Sequence, residues 1–178
     1  MPKLEIDDVV VLLLGCPTEK PELEDKLSGV TRLEKLVFLV EQETSLGELL
    51  DEDANFIAYN FGPFSAAVYQ AVDSLSGYGL LEDSASLANS DEDSWEQIRV
   101  VGVDRSDPYA TRNFELTERG KQYYRVLTEE ISDEYIDELV ALKEQFGSIP
   151  LRQLVRYVYQ EYPDMTENSL IRDDILNR

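Results

Sequence analysis

The chain of 178 residues contains no histidine and a single cysteine, Cys16. The missing imidazole removes Ser-His-Asp and Cys-His nucleophilic systems and every His-ligated metal site. Carboxylates remain as candidate chemistry, and Asp51-Glu52-Asp53 and Asp91-Glu92-Asp93 are the densest runs. Neither run has a spaced partner or a glycine at a calcium-loop position, so both read as solvated loops. Gly62-Pro63 and Gly77-Tyr78-Gly79 lack the spacing of a phosphate-binding loop, and no lysine follows them. The expectation is a non-enzyme with no catalytic, metal-binding or cofactor-binding residues, and no cofactor.

Binding chemistry is better represented. Residues 55–82 read as an aromatic extended lead-in, a Gly62-Pro63 corner, a helix over 65–76, a glycine stop and the start of a strand at Leu80-Leu81. Phe64, Val68, Ala71, Val72 and Leu75 recur at helical spacing and form its buried side. Ser65 reads as its N-cap, and Gly77 and Gly79 as left-handed stops. The exposed side is then Ala66, Tyr69, Gln70, Asp73 and Ser76. That face has no arginine or lysine, Asp73 repels phosphate, and only Gln70 suits base-edge reading.

Residues 97–128 run against the rest of the chain. They hold six basic residues (Arg99, Arg105, Arg112, Arg119, Lys121, Arg125) against four acidic ones. A smaller basic stripe, Arg152 and Arg156 with Tyr159, is expected to face outward from a late helix. Tyrosine suits interfaces because it offers a large ring and a hydroxyl, and Tyr69, Tyr78 and Tyr159 are the candidates for a contact surface. The partner-binding set is Tyr69, Gln70, Asp73, Tyr78, Arg112, Arg119, Lys121 and Arg125.

Composition supports a real core, with 43% hydrophobic residues, alongside a net charge of −21. A globular, acidic and lysine-poor chain (six lysines, ten arginines) fits a salt-loaded cytoplasm, where screening removes self-repulsion. No apolar run approaches the ~18 residues of a membrane span; residues 9–14 give six. The start, Met-Pro-Lys-Leu-Glu, lacks the order of a signal peptide. One cysteine cannot form an internal disulfide, which suits a cytoplasmic location.

In chain order, a helix is expected over 5–14 with Asp7 or Asp8 near its start and Gly15 at its end, then a loop from 16 to 26. Thr31 and Glu34 fit a capping box opening a helix over about 32–44, apolar almost all round and so the central buried one. Residues 46–52 read as a polar turn or a short helical piece. Residues 83–96 are serine-rich and acidic and read as a mobile wing tip. Strands are expected at 97–103 and 112–116. Helices follow at 118–130 with Thr117 as cap, at 133–146 with Ser132 as cap, and at 151–162 with a stripe of Leu151, Leu154, Val155 and Val158; a short helix over 166–176 closes the chain.

Three segments carry a family resemblance: T-R-L-E-K-L-V-F-L-V (31–40), Y-N-F-G-P-F-S…G-L-L-E (59–82) and F-E-L-T-E-R-G-K (114–121). With L-V-R-Y-V-Y-Q-E-Y-P (154–163), the chain resembles the YwgA-like proteins, related in turn to the SocA-like (Panacea) antitoxin domain. The resemblance covers most of residues 30–162. It implies a winged-helix-like fold and, as in SocA-like members, neutralisation of a toxin or adaptation of a client for proteolysis.

The reading is one α+β, mostly helical domain over 1–178, with a winged-helix-like core at about 5–130 and a helical extension at about 131–178. Its expected function is non-catalytic protein binding, with a toxin or client as partner. The alternative is a winged-helix DNA-binding regulator that touches DNA through the wing arginines. A homodimer is compatible with both readings, and no membrane partner is expected.

Overall fold

The computed structural model describes residues 3–59, 62–87 and 110–166. The protein is α+β and mostly helical. Helix α1 (Ile6–Gly15) carries V-V-V-L-L-L, and residues 8–14 are buried on every side because α1 touches helices on several sides at once. The Glu5 amide donates to Asp8 Oδ2 at 2.9 Å, closing the start of α1. Strand β1 (Lys26–Ser28) follows, beginning on the last residue of the stretch expected as loop. Three residues are too few for the period-two pattern to declare itself; what makes them a strand is the partner 87 positions later, Leu27 pairing with Phe114.

Helix α2 (Val30–Glu43) is buried from 30 through 40, as its pattern predicts. Its start differs from expectation. Gly29, at φ 95°, is the N-cap, a conformation that favours glycine. Thr31 therefore lies inside the helix, and Glu34 turns inward rather than back to the cap. Residues 46–52 begin as a 3-10 turn (Ser45–Leu49).

A two-stranded hairpin, β2 (Ile57–Tyr59) and β3 (Gly62–Phe64), precedes helix α3 (Ala66–Gly77). Strand β4 (Leu81–Leu87) and strand β5 (Ala110–Leu116) complete a three-stranded antiparallel sheet in the order β1-β5-β4. Residues 83–87, expected in a mobile loop, belong to β4: each pairs with a β5 residue, from Asp83 with Phe114 to Leu87 with Ala110, so a backbone ladder overrides a polar, serine-rich composition. The remaining wing expectations, the loop over 88–96 and the strand at 97–103, lie outside the described residues, as does the helix expected over 166–176 beyond residue 166. Leu27, Phe114, Leu116 and Leu81 face the core, while Lys26, Glu115 and Glu82 form one exposed row.

Helix α4 (Glu118–Glu130) is capped by Thr117, whose Oγ1 accepts from the Gly120 amide at 3.0 Å. Helix α5 (Asp133–Phe146) is capped by Ser132. Helix α6 (Leu151–Glu161) buries the predicted Leu151, Leu154, Val155 and Val158 against α2. Tyr159, expected on the surface, is also buried at 1% exposure; it follows Val155 by one turn and so shares the inward stripe. Phe38 meets the rings of Phe56 and Tyr162 edge-on at 5.1 and 5.0 Å, tying α2 to the hairpin and to the end of α6.

Candidate partner-binding face

The outward face of α3 is set from inside by two charges. Glu34 and Lys35 are both fully buried, and their side chains form an ion pair at 3.0 Å. Lys35 Nζ also donates to the Pro63 carbonyl at 3.0 Å, and Glu34 Oε2 accepts from the Ser65 amide at 3.2 Å. Ser65 Oγ donates to the Ala54 carbonyl. Ser65 therefore stands at the N-cap of α3 without capping it through its side chain. The hydroxyl instead closes residues 54–65 at their base. The G-P-F-S corner and the L-E-K-L segment of α2 thus meet in one buried polar cluster. Buried charges are tolerated where they are paired and bonded, and here each has a backbone partner as well as the other.

At its far end α3 stops where the Tyr78 amide donates to Ser74 O at 2.9 Å and the Leu80 amide to Leu75 O at 3.0 Å. Gly79 takes the left-handed conformation expected of it, φ 76°. Gly77 does not: it closes the helix and has open space where a Cβ would sit. Thr117 Oγ1 donates to Gly79 O at 2.6 Å, and the Thr117 amide to Leu80 O at 3.1 Å. A Cβ on Gly120 would lie 2.1 Å from Leu80 O, so only glycine lets α4 approach this turn. The turn and the α4 N-terminus are consequently one rigid unit.

This unit places the predicted residues as follows. Gln70 and Asp73 are exposed on α3 together with Ala66 and Ser76. Tyr69 is half-buried and packs against the core. Tyr78 is 68% exposed, the most exposed large apolar side chain among the described residues. Arg119 is exposed and reaches the same turn, its Nη1 lying 3.6 Å from where a Gly79 Cβ would be. Arg125 is exposed farther along α4. Lys121 turns away: its ammonium lies 3.2 Å from Glu118 and 3.9 Å from Asp25. The hydrogen bond to Glu118 raises its pKa, with the charges of Glu118 and Asp25 adding to it. Arg112 is part of β5, and its side chain, like Arg99 and Arg105, lies outside the described residues. The structure therefore brings Arg119 to the Gly79 turn that carries Tyr78, leaves Gln70 and Asp73 exposed on α3, and turns Lys121 to Glu118 and Asp25.

Of the carboxylate runs, Asp51-Glu52-Asp53 lines, with Glu5, an open cavity of about 300 Å³. Asp91-Glu92-Asp93 lies outside the described residues. Among the described residues no group of three or more His, Cys, Asp or Glu is arranged to hold a metal ion, and no helix is long and apolar enough to cross a membrane. Comparison of the chain with family models, curated proteins and solved structures finds no match in any of the three.

Two features of the surface were missed by sequence reasoning. Val126 is 53% exposed on α4; its position among Arg119, Gln122 and Glu130 is readable from the spacing. Glu43 accepts hydrogen bonds from Tyr157 at 2.9 Å and Tyr162 at 2.8 Å, which no local pattern announces.

Proposed function

We propose that this chain is a non-catalytic protein-interaction module with a winged-helix-like core, whose role is antitoxin-like or that of a proteolytic adaptor. The observation that carries the reading is the outward face of α3. It presents Ala66, Gln70, Asp73 and Ser76, with Tyr78 beyond, and no cation. A helix that reads a DNA groove works beside phosphates and draws on arginine, lysine, asparagine or glutamine; this face offers one glutamine and one repelling carboxylate. An exposed tyrosine held on a rigid turn is instead the kind of anchor that carries binding energy between proteins.

The winged-helix assignment is supported by connectivity. The order α1, β1, α2, α3, β4, β5, with β5 central in the sheet, is that of a winged helix-turn-helix, with the β2-β3 hairpin inserted before α3. The same connectivity favours the second reading, a DNA-binding regulator touching phosphate through Arg112 and Arg125.

Co-purification from the native host at native salt separates the two. For a protein partner, Tyr78→Ala weakens binding by ~2 kcal/mol, and replacing Arg112 and Arg125 by alanine mainly changes association rate and its salt dependence. Recovery of DNA of discrete sequence, lost on the arginine change and indifferent to Tyr78→Ala, would establish the regulator instead.

A further inference from the structure

Helix α4 carries charges against its own dipole at its C-terminal end. Its first turn holds Glu118 beside Arg119, while Glu129 and Glu130 stand in its last turn, which has no basic residue. The dipole favours the reverse, and α5 shows the favoured order, Asp133 and Glu134 first and Lys143 last. Arg119, Gln122, Val126 and Glu130 follow one another at three or four residues, so they form a single stripe along the helix. All four are exposed. Among the described residues, Lys35 and Lys121 form ion pairs, and none involves Arg119 or Glu130. Val126 gives the stripe an apolar centre.

We propose that this stripe is the seam of a homodimer, with α4 of a second copy lying antiparallel across a two-fold axis. Antiparallel pairing centred between residues 124 and 125 sets Arg119 opposite the partner subunit's Glu130. It sets Val126 beside the partner subunit's Gln122, and the two-fold repeats both contacts. The helix dipoles then oppose each other, and the C-terminal end of α4 gains the positive charge it lacks from the partner subunit's Arg119. Arg125 and Glu118 lie roughly a quarter turn round the helix from the stripe, outside the closest approach, and Glu129 flanks it. On a chain of net charge −21 two copies repel each other overall; at this seam opposite charges meet. Thirteen residues make a helix ~20 Å long, less than a standard interface needs, so the dimer is weak and concentration-dependent. The seam shares Arg119 with the candidate face but uses none of Ala66, Gln70, Asp73, Ser76 or Tyr78, so the outward face of α3 stays available whatever it binds.

The test is sedimentation velocity on the purified full chain over a wide concentration range, in about 0.15 M KCl, where the Debye length is ~8 Å and pairs in contact still attract. The wild type should pass from monomer to dimer as concentration rises. Arg119→Glu and Glu130→Arg should each raise the dissociation constant by about tenfold, because the two-fold counts every lost pair twice. Combining the two should recover most of that loss, since the cross-pairs re-form with reversed sign. Val126→Asp should leave only monomer, and thermal melts by circular dichroism identify any variant that has lost its fold. A wild type that stays monomeric at every concentration overturns the proposal. So does a dimer indifferent to the single substitutions, or a double variant weaker than either single one. Tyr78→Ala is left out of this set, so failure here is distinguishable from failure of the interaction role.

Discussion

Lys143, in the last turn of α5, caps the C-terminus of α1 by donating to the Leu14 carbonyl at 2.6 Å across 129 residues of sequence. The same ammonium donates to the Cys16 carbonyl at 3.2 Å. A helix leaves its last carbonyls without partners, and α1 is too deeply buried for water to serve them. Burial lowers the pKa of Lys143, while burial pushes the Cys16 thiol up to about 11. Lys143→Met keeps the length of the side chain and removes its donors. It should destabilise the fold by about 1–3 kcal/mol, the cost of a buried acceptor left unmade. Urea unfolding measures this, and a change under ~0.5 kcal/mol would mean that something else serves those carbonyls.

The Glu34–Lys35 pair should show the asymmetry of buried ions. Lys35→Met alone leaves a buried carboxylate and should cost about 3–5 kcal/mol, whereas joining it with Glu34→Gln should recover a substantial part of that. Amide exchange supplies a local reading: the Ser65 amide, bound to Glu34 Oε2, should exchange faster in the Glu34 variant than amides in the middle of α5. Equal acceleration everywhere would show that the pair contributes bulk stability and does not specifically hold the corner.

Glu43 holds the end of α6 through Tyr157 and Tyr162, and this latch is alkali-sensitive. Burial first, and then the hydrogen bond to Glu43, raise the Tyr157 pKa to about 12 and shift Tyr162 in the same direction. A tyrosine whose folded pKa is raised favours the neutral form in the native state. Its contribution is whole below the unfolded pKa of ~10 and is lost as pH rises through the folded value, so α6 should loosen between pH ~10 and about 12. Tyrosinate absorbance followed with helical circular dichroism checks it. In Glu43→Gln the late part of the titration should move down towards the ordinary tyrosine range; an unmoved curve would show that Glu43 is not the cause.

Salt should stabilise the whole chain. A net charge of −21 on a compact body repels itself when unscreened. The melting temperature should therefore rise from ~0.1 M to ~3 M KCl, as the Debye length falls from ~10 Å to under ~3 Å. A flat curve over that range would remove the case for a salt-loaded cytoplasm.

Most helices were legible in the sequence because each carries its own signal. Thr117 and Ser132 cap where expected, and the stripes of α3 and α6 are the buried ones. What escaped was non-local. β1 is a strand only because β5 lies beside it, and residues 83–87 look like a mobile loop until their ladder with β5 is known. Glu34 offered a capping box to local reasoning, yet its partner is Ser65, 31 residues on. A stronger signal was present: adjacent opposite charges inside a helix apolar all round must be partnered by something. Tyr159 was assigned outward with the arginines before it, although one turn from Val155 it was bound to share the core side. On the candidate face, exposure was readable for Gln70, Asp73 and Tyr78. The pairing of Lys121 with Asp25 was not, since it depends on a turn 96 residues earlier.

The distant cap on α1 also sets a schedule for synthesis. Helix α1 leaves the ribosome well before α5 and has almost no polar side to show to water. Lys143 emerges 129 residues after Leu14, an interval of roughly 6–26 s at ~5–20 residues per second. Throughout it the last carbonyls of α1 lack their lysine, and V-V-V-L-L-L stays uncovered until α2, α3 and α4 follow. The nascent chain therefore depends on early cover from α2 or from a chaperone, and truncations that end before α5 should be found in the insoluble fraction.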